Sequence, residues 1–192
     1  MRPWFLRWGA TEAETRETLP GDALVSGPKH HDMHASTIHV PVAEVWPWLV
    51  QIGQDKGRFY SYAWLENLAG CHVHNADRVV AEYQMLRIGN PVRLHPAAPP
   101  LKAMIVQPYR AIVLVSDVAS AISPAFSGTW GFYVGKVNDT TTRLLIRSRW
   151  AWKSGLLPWF GYRCLPEPAH FIMEWKMMLT LKESVERATQ SR

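Results

Sequence analysis

The 192-residue sequence has few cysteines, no long apolar run and no block of like charges. Cys71 and Cys164 are its two cysteines, too few for a disulfide framework or a four-cysteine zinc site. No apolar run approaches the roughly 20 residues of a membrane-spanning helix, and the apolar stretch at the start is too short for a signal peptide. These absences predict a soluble cytoplasmic protein.

The charge distribution argues against a nucleic-acid partner. Lys and Arg number 21 against 16 Asp and Glu, a formal excess of +5 that is not gathered into a basic run. A nucleic-acid interface normally shows a concentrated basic patch. A glycine-rich phosphate loop and a Gly-x-Ser-x-Gly motif are also missing. The sequence therefore predicts no nucleic-acid partner and no serine nucleophile of the hydrolase type.

Tryptophan, in contrast, is abundant. Ten tryptophans occur in 192 residues, within an otherwise ordinary 47% of hydrophobic residues. Each indole offers a large apolar body and one N–H donor. This excess suits a roomy core, a ligand cavity or an interface.

The order of the predicted elements is strand, two helices, several strands and a long helix. Residues 1–32 are predicted to form an N-terminal arm packed on a domain at 33–192. Apolar spacing predicts a strand at 33–40 and a helix after it, from Pro41 to Gly53, with Pro47 inside. The later elements are a short helix at 61–69, strands at 91–95, 101–107, 111–116, 129–137 and 142–152, and a helix at 167–188.

The two longest strands define a register. A three-residue loop at 138–140 sets Trp130 and Phe132 opposite Ser148 and Ile146, which gathers the apolar side chains on one face. Three arginines of the second strand then share the other face, which is predicted to be solvated. They are Arg143, Arg147 and Arg149. If these arginines faced a pocket instead, they would suit a carboxylate or phosphate.

The final helix carries a broad apolar surface, wider than packing on a sheet alone requires. Met173, Met177 and Leu181 extend it sideways from a main stripe. The predicted stripe consists of Phe171, Ile172, Trp175, Met178, Leu179 and Val185.

With these elements, the chain resembles the START/Bet v 1-like superfamily (SRPBCC, polyketide cyclase/dehydrase-like), and more narrowly a bacterial branch of it. The segments that carry the resemblance span nearly the whole chain. They are RWGAT at 7–11, LPGD at 19–22, EVWPWLVQIG at 44–53, YSY at 60–62, WLEN at 64–67, ADR at 76–78, TRL at 142–144 and ME at 173–174.

The resemblance implies an α+β helix-grip fold, in which a bent antiparallel sheet wraps around a long C-terminal helix, with two short helices after the first strand. It also implies a pocket between the concave face of the sheet and that helix. No catalytic residue is carried over, because the superfamily hosts binding proteins, transfer proteins and enzymes alike. The residues expected to line the pocket are Tyr62, Trp64, Trp130, Phe132, Ile146, Phe171, Trp175 and Met178.

The histidines invite a metal-site interpretation. Two groups lie close enough in sequence to bind one metal ion together: His30, His31 and His34, or His72 and His74. No acidic or thiol partner stands at a recognised zinc spacing from them. The sequence therefore predicts neither a metal nor a cofactor.

Three functions are consistent with these sequence features. The first is a carrier or sensor of a small hydrophobic or lipid-like ligand. The second is a cyclase or aromatase in which Tyr62, Glu66 or Asp77 moves a proton in the same pocket. The third is a transient membrane-surface contact through the aromatic segment 150–162.

Overall fold

A computed structural model describes residues 2–53, 56, 78–94, 99–116, 126–152 and 166–191. The described helices are Arg2–Phe5 (α1), Glu12–Arg16 (α2), Val42–Val50 (α3) and Pro166–Gln190 (α4), with 3-10 turns at Asp22–Leu24 and Ala81–Tyr83. The strands are His30–Ile38 (β1), Pro91–Val92 (β2), Leu101–Gln107 (β3), Ala111–Ser116 (β4), Phe126–Asn138 (β5) and Thr141–Trp152 (β6).

The six strands form one antiparallel sheet in the order β1-β6-β5-β4-β3-β2, and α4 lies against its inner face. The predicted α+β helix-grip architecture is therefore confirmed. The short helix predicted at 61–69 lies outside the described residues. Within the described part of the chain, no helix combines the length and apolarity needed to cross a membrane.

The first strand begins earlier than predicted. It starts at His30 instead of residue 33 and pairs with β6 along its full length, from His30 opposite Trp150 to Ile38 opposite Thr142. Histidine and aspartate have little preference for strands, so the sequence pattern missed this start. As a result, His30 and Asp32 belong to the sheet.

The predicted register of β5 and β6 is confirmed, although the loop is shorter than predicted. Trp130 lies opposite Ser148 and Phe132 opposite Ile146. A two-residue turn joins the strands, and a bulge between Lys136 and Asn138 shifts the pairing by one residue. The bulge restores the alternation that the short turn alone would have reversed.

The outer face of β6 is not the solvated surface that the sequence predicted. Its arginines do lie opposite the apolar face, but the side chain of Arg147 is only 2% exposed. Its guanidinium donates to the carbonyl of Glu17 at 2.8 Å and to the carboxylate of Asp22 at 2.6 Å. The prediction was wrong for Arg147 because the N-terminal segment, residues 2–29, covers it and supplies its acceptors.

The N-terminal segment also covers the free edge of β1. The backbone N–H of Met33 donates to the carbonyl of Leu6, and that of Ala35 donates to the carbonyl of Trp8. Gly9 follows with a φ of 71°, and a Cβ there would lie 2.1 Å from the Ala35 carbonyl oxygen. Glycine at this position lets the segment approach and protect the edge of the sheet.

The buried face of α4 departs from the predicted stripe. Met178 and Val185 are buried as predicted, but Ile172 is 45% exposed. Glu167 and Glu174 take inward positions in its place. Because these carboxylates find hydrogen-bond partners inside the fold, the first half of the helix presents charge to the sheet.

The N-terminal segment is fixed to β6 by a second ion pair. Thr11 and Glu14 form a capping box at the start of α2, and the Glu14 carboxylate also accepts from Arg143 at 2.7 Å and 2.9 Å. The hydrogen bond from Arg143 holds the pKa of Glu14 down at about 2.

We expect Glu14→Gln to destabilise the protein at neutral pH, with an effect that fades in acid. The folded-state pKa of Glu14 is about 2 and the unfolded value is near 4.5, so its contribution is present above pH 4.5 and is lost as pH falls toward 2. Urea unfolding of the variant and wild type across that range measures the difference. Glu12→Gln, which removes an exposed pair with Arg16 on the same helix, is the control and should change stability by less than about 0.5 kcal/mol. A Glu14→Gln effect that is independent of pH would contradict the assignment.

Candidate functional site

One end of the inner face is polar. His30, Asp32 and His34 alternate along β1 and therefore face the same side of the sheet, toward α4. On α4, spacings of three and four residues bring an acid–histidine–acid set to the facing side. We call the joint set, together with one serine of β6, the polar cluster. Its members are His30, Asp32, His34, Ser148, Glu167, His170 and Glu174.

Glu174 occupies the centre of the polar cluster and is only 2% exposed. Its Oε1 lies 2.5 Å from Nδ1 of His34, and its Oε2 accepts from the indole N–H of Trp130 at 2.8 Å. Nε2 of His170 lies 3.2 Å from the same Oε2. Burial alone would raise the pKa of Glu174, but the charge of His34 and the histidine hydrogen bonds outweigh it and hold this pKa well below its usual range.

His34 carries the charge that balances Glu174. Its Nδ1 faces the carboxylate of Glu174, and its Nε2 lies 2.7 Å from the carbonyl oxygen of Phe5. Both neighbours only accept hydrogen bonds, so the ring needs a proton on each nitrogen. Burial opposes the charged form, but attraction to Glu174 outweighs it and raises the pKa of His34 to about 9.

Asp32 and His30 form the second half of the cluster. Nε2 of His30 lies 2.6 Å from Oδ2 of Asp32, and Nδ1 of the same ring lies 3.1 Å from Oε1 of Glu167. The other oxygen of Asp32 accepts from the backbone N–H of Ser148 at 3.1 Å. The aspartate is therefore fixed to both β1 and β6.

His170 is the accessible member of the cluster. Its side chain is 27% exposed, whereas Asp32 and Glu174 are almost fully enclosed. Its Nε2 lies 3.1 Å from Oγ of Ser148 and 3.8 Å from Oδ2 of Asp32. Burial lowers the pKa of His170, but the hydrogen bond to Glu174 outweighs this effect and raises it.

An aromatic side chain stands beside this accessible histidine. The rings of Trp150 and His170 meet edge to face at 6.4 Å. Trp150 lies across Gly128 of the neighbouring strand, where an added Cβ would fall 1.7 Å from the indole. The lack of a side chain at Gly128 lets the indole lie flat on the sheet next to His170.

The predicted pocket residues fall into three groups. Trp130, Phe132, Ile146 and Met178 are buried together in the core between the sheet and α4. Of these, Trp130 also belongs to the polar site through its hydrogen bond to Glu174. Tyr62 and Trp64 lie outside the described residues, as do Glu66, Asp77 and positions 153–162 of the aromatic segment.

Phe171 and Trp175 form the third group, which lies against the N-terminal segment. Phe171 packs on Trp4 and Phe5, with ring centroids 5.8 and 5.6 Å apart, and Trp175 meets Trp8 edge to face at 6.4 Å. Both are half-buried. They border the N-terminal segment on the flank of α4, and a role in ligand binding stays a prediction.

Sequence reasoning missed the polar cluster because it sought partners close along the chain. The residue that pairs with His34 is Glu174, 140 positions away. A usable signal was present in two places: polar residues alternate at positions 30, 32 and 34, and an acid, a histidine and an acid occupy positions 167, 170 and 174. Both spacings place side chains on one face of the predicted element.

A concavity lies on the outer face, between the N-terminal segment and strands β5 and β6. Its volume is about 220 Å³, and Arg110, Arg143 and Tyr133 are among its walls. The Tyr133 hydroxyl donates to the carbonyl of Pro20, and Arg143 is engaged by Glu14. These polar groups fasten the N-terminal segment, so we place the candidate site at the polar cluster.

Comparisons with known proteins bear on the fold alone. No family model and no curated protein matches the chain. A hypothetical protein, jhp0584 from Helicobacter pylori, shares 10% identity at a TM-score of 0.54, covering 86% of this chain and 94% of its own. Norcoclaurine synthase from Thalictrum shares 9% at 0.48, covering 83% and 96%. CalU16 from Micromonospora echinospora shares 14% at 0.38, covering 82% and 84%.

The Helicobacter pylori protein shares the overall fold described above. Membership of the START/Bet v 1-like superfamily, and of its narrower bacterial branch, stays a prediction.

We expect Trp130→Phe to destabilise the protein by about 1.5–3 kcal/mol, the usual contribution of a hydrogen bond to a charged group. The change removes the indole N–H that binds Glu174 and keeps an aromatic ring in the core. Urea denaturation followed by circular dichroism measures the difference. Trp4→Phe, at a side chain that is 62% exposed, is the matched control and should stay within about 0.5 kcal/mol of wild type. Equal stabilities for the two variants would refute a structural role for the Trp130–Glu174 bond.

Proposed function

We propose that the protein binds a small, mainly apolar ligand between the inner face of the sheet and α4, with one polar group of the ligand directed at His170. The observation that carries this proposal is the boundary between two surfaces on the inner face. Apolar side chains fill one part of it, the polar cluster fills the other, and His170 is the cluster member with solvent access.

The apolar part supports the choice of ligand class. Phe132 and Ile146 are neighbours across β5 and β6, and Met178 of α4 packs in the same core. Small-molecule sites are mostly walled by apolar and aromatic groups, with a few polar groups that orient the ligand. A methionine in such a wall adapts readily to different ligand shapes.

The polar part supports the orientation. Ser148 and Glu174 both hold Nε2 of His170, so the ring is fixed before any ligand arrives. Because Glu174 is itself balanced by His34, its charge is tolerated beneath the site. A hydroxyl, carbonyl or carboxyl group is the natural partner for such an imidazole. The ligand would then be an amphiphile with a short polar end.

Binding is tested with a fluorescent apolar probe, N-phenyl-1-naphthylamine, competed by decane, 1-decanol and decanoic acid. We expect saturable probe binding at one per chain and stronger competition by the two polar ligands than by decane. His170→Gln should reduce that preference about 2- to 10-fold, the effect of losing one hydrogen bond, and leave competition by decane unchanged. His31→Gln, at an exposed histidine of the same strand, should behave as wild type.

Two results would overturn the proposal. One is the lack of saturable probe binding by the wild type. The other is equal competition by decane and 1-decanol. Native mass spectrometry of the freshly purified protein complements this test, since a retained amphiphile favours a carrier or sensor. A retained compound that is a cyclised or aromatised product would instead favour the cyclase or aromatase alternative.

A further inference from the structure

Three potential metal-ligand atoms converge at the accessible end of the polar cluster. Single donor atoms of Asp32, His170 and Glu174 all lie within 4.8 Å of one another. Nε2 of His170 lies 3.2 Å from Oε2 of Glu174 and 3.8 Å from Oδ2 of Asp32. With metal–ligand bonds of about 2.0–2.2 Å, neighbouring donors in tetrahedral or octahedral sites stand roughly 2.8–3.6 Å apart. The His170–Glu174 distance lies within that range and the His170–Asp32 distance slightly above it, so a small side-chain rotation of Asp32 would bring the donors around one ion.

Each carboxylate of this trio is held from outside by a second partner. Oδ1 of Asp32 accepts from the backbone N–H of Ser148, and Oε1 of Glu174 is bound by His34. The opposite oxygen of each carboxylate faces His170, and it also meets a second donor, His30 at Oδ2 of Asp32 and Trp130 at Oε2 of Glu174. Each of these oxygens keeps a further lone pair for an ion. Metal-binding carboxylates are commonly oriented by such outer hydrogen bonds.

The charge of the trio also suits a cation. Asp32 is 3% exposed and Glu174 is 2% exposed, and buried carboxylates require a positive partner. Among the described residues, the basic partners of these two carboxylates are all histidines, with no lysine or arginine in contact. His34 already balances the charge of Glu174, so a divalent ion next to both carboxylates would chiefly balance the charge of Asp32.

We propose that Asp32, His170 and Glu174 bind one divalent transition-metal ion. One imidazole and two carboxylates form a nitrogen–oxygen ligand set that suits Zn²⁺, Mn²⁺ or Fe²⁺. Three protein ligands leave a further coordination position, and the exposed side of His170 gives access to it. This inference deepens the proposed function, because the ion would receive the polar group of the amphiphile, but metal binding is measurable without an apolar ligand.

The first experiment titrates metal into the full chain after removal of any affinity tag and dialysis against EDTA. Zn²⁺ and Mn²⁺ are followed by isothermal titration calorimetry, and Co²⁺ by its visible absorption, which reports the ligand geometry. We expect one ion per chain and a melting temperature that rises with metal concentration, since the ion binds the folded state. If none of these ions binds saturably at millimolar concentration, the proposal is wrong.

Variants then locate the ion. Trp130→Phe removes a hydrogen bond to the ligand Glu174 and should weaken metal binding by about 10- to 100-fold. His170→Gln and Asp32→Asn remove a ligand itself and should weaken binding further. His31→Gln and Asp139→Asn, both at exposed positions, are the matched controls and should bind as wild type. Circular dichroism checks that each variant folds. His170 is the least buried of the three ligands, so His170→Gln should disturb the fold least.

The outcomes separate this inference from the proposed function. Unchanged affinity in both His170→Gln and Asp32→Asn would place the ion elsewhere and overturn the proposal. Failure of metal binding, with the 1-decanol preference intact in the metal-free protein, would refute the metal site and leave amphiphile binding standing.

Discussion

The arrangement of the inner face depends on one buried carboxylate. Glu174 of α4 is bound by His34 of β1 and by Trp130 of β5, so that three elements distant in sequence meet at a single side chain. His34 extends the connection to the carbonyl of Phe5. A buried charge without its partners is costly. This set of contacts therefore fixes how α4 lies across the sheet and holds the N-terminal segment against β1 at Phe5.

The outer face of the sheet is also organised around a buried charge with its partners, but there the buried charge is positive. There the buried charge is the guanidinium of Arg147, and the acceptors come from Glu17 and Asp22 of the N-terminal segment. One face of β6 thus presents arginine to that segment, while the neighbouring β1 presents imidazole to α4. The sheet is bound on both faces by charges that only the correctly placed partner satisfies, which favours one arrangement over others of similar apolar content.

Sequence patterns predicted the features that repeat locally, and missed those that depend on distant partners. Alternation along β5 and β6 was sufficient for their register, even though a bulge near Lys136 and a shorter turn replaced the predicted loop. The inward positions of α4 were misjudged because only apolar residues were counted toward its buried face. Most of the polar cluster escaped notice for a related reason. The pairing of His34 with Glu174 exists only after the sheet and the helix have met.

The contact of Trp150 with Gly128 couples the choice of residue at two positions on neighbouring strands. Since a Cβ at 128 would lie inside the indole, any side chain there requires a smaller residue at 150, or a different rotamer that takes the ring away from His170. Evolutionary drift at either position is therefore constrained by the other. Among homologous sequences the residues at positions 128 and 150 should vary together, and loss of the glycine should be accompanied by a change in the surroundings of His170.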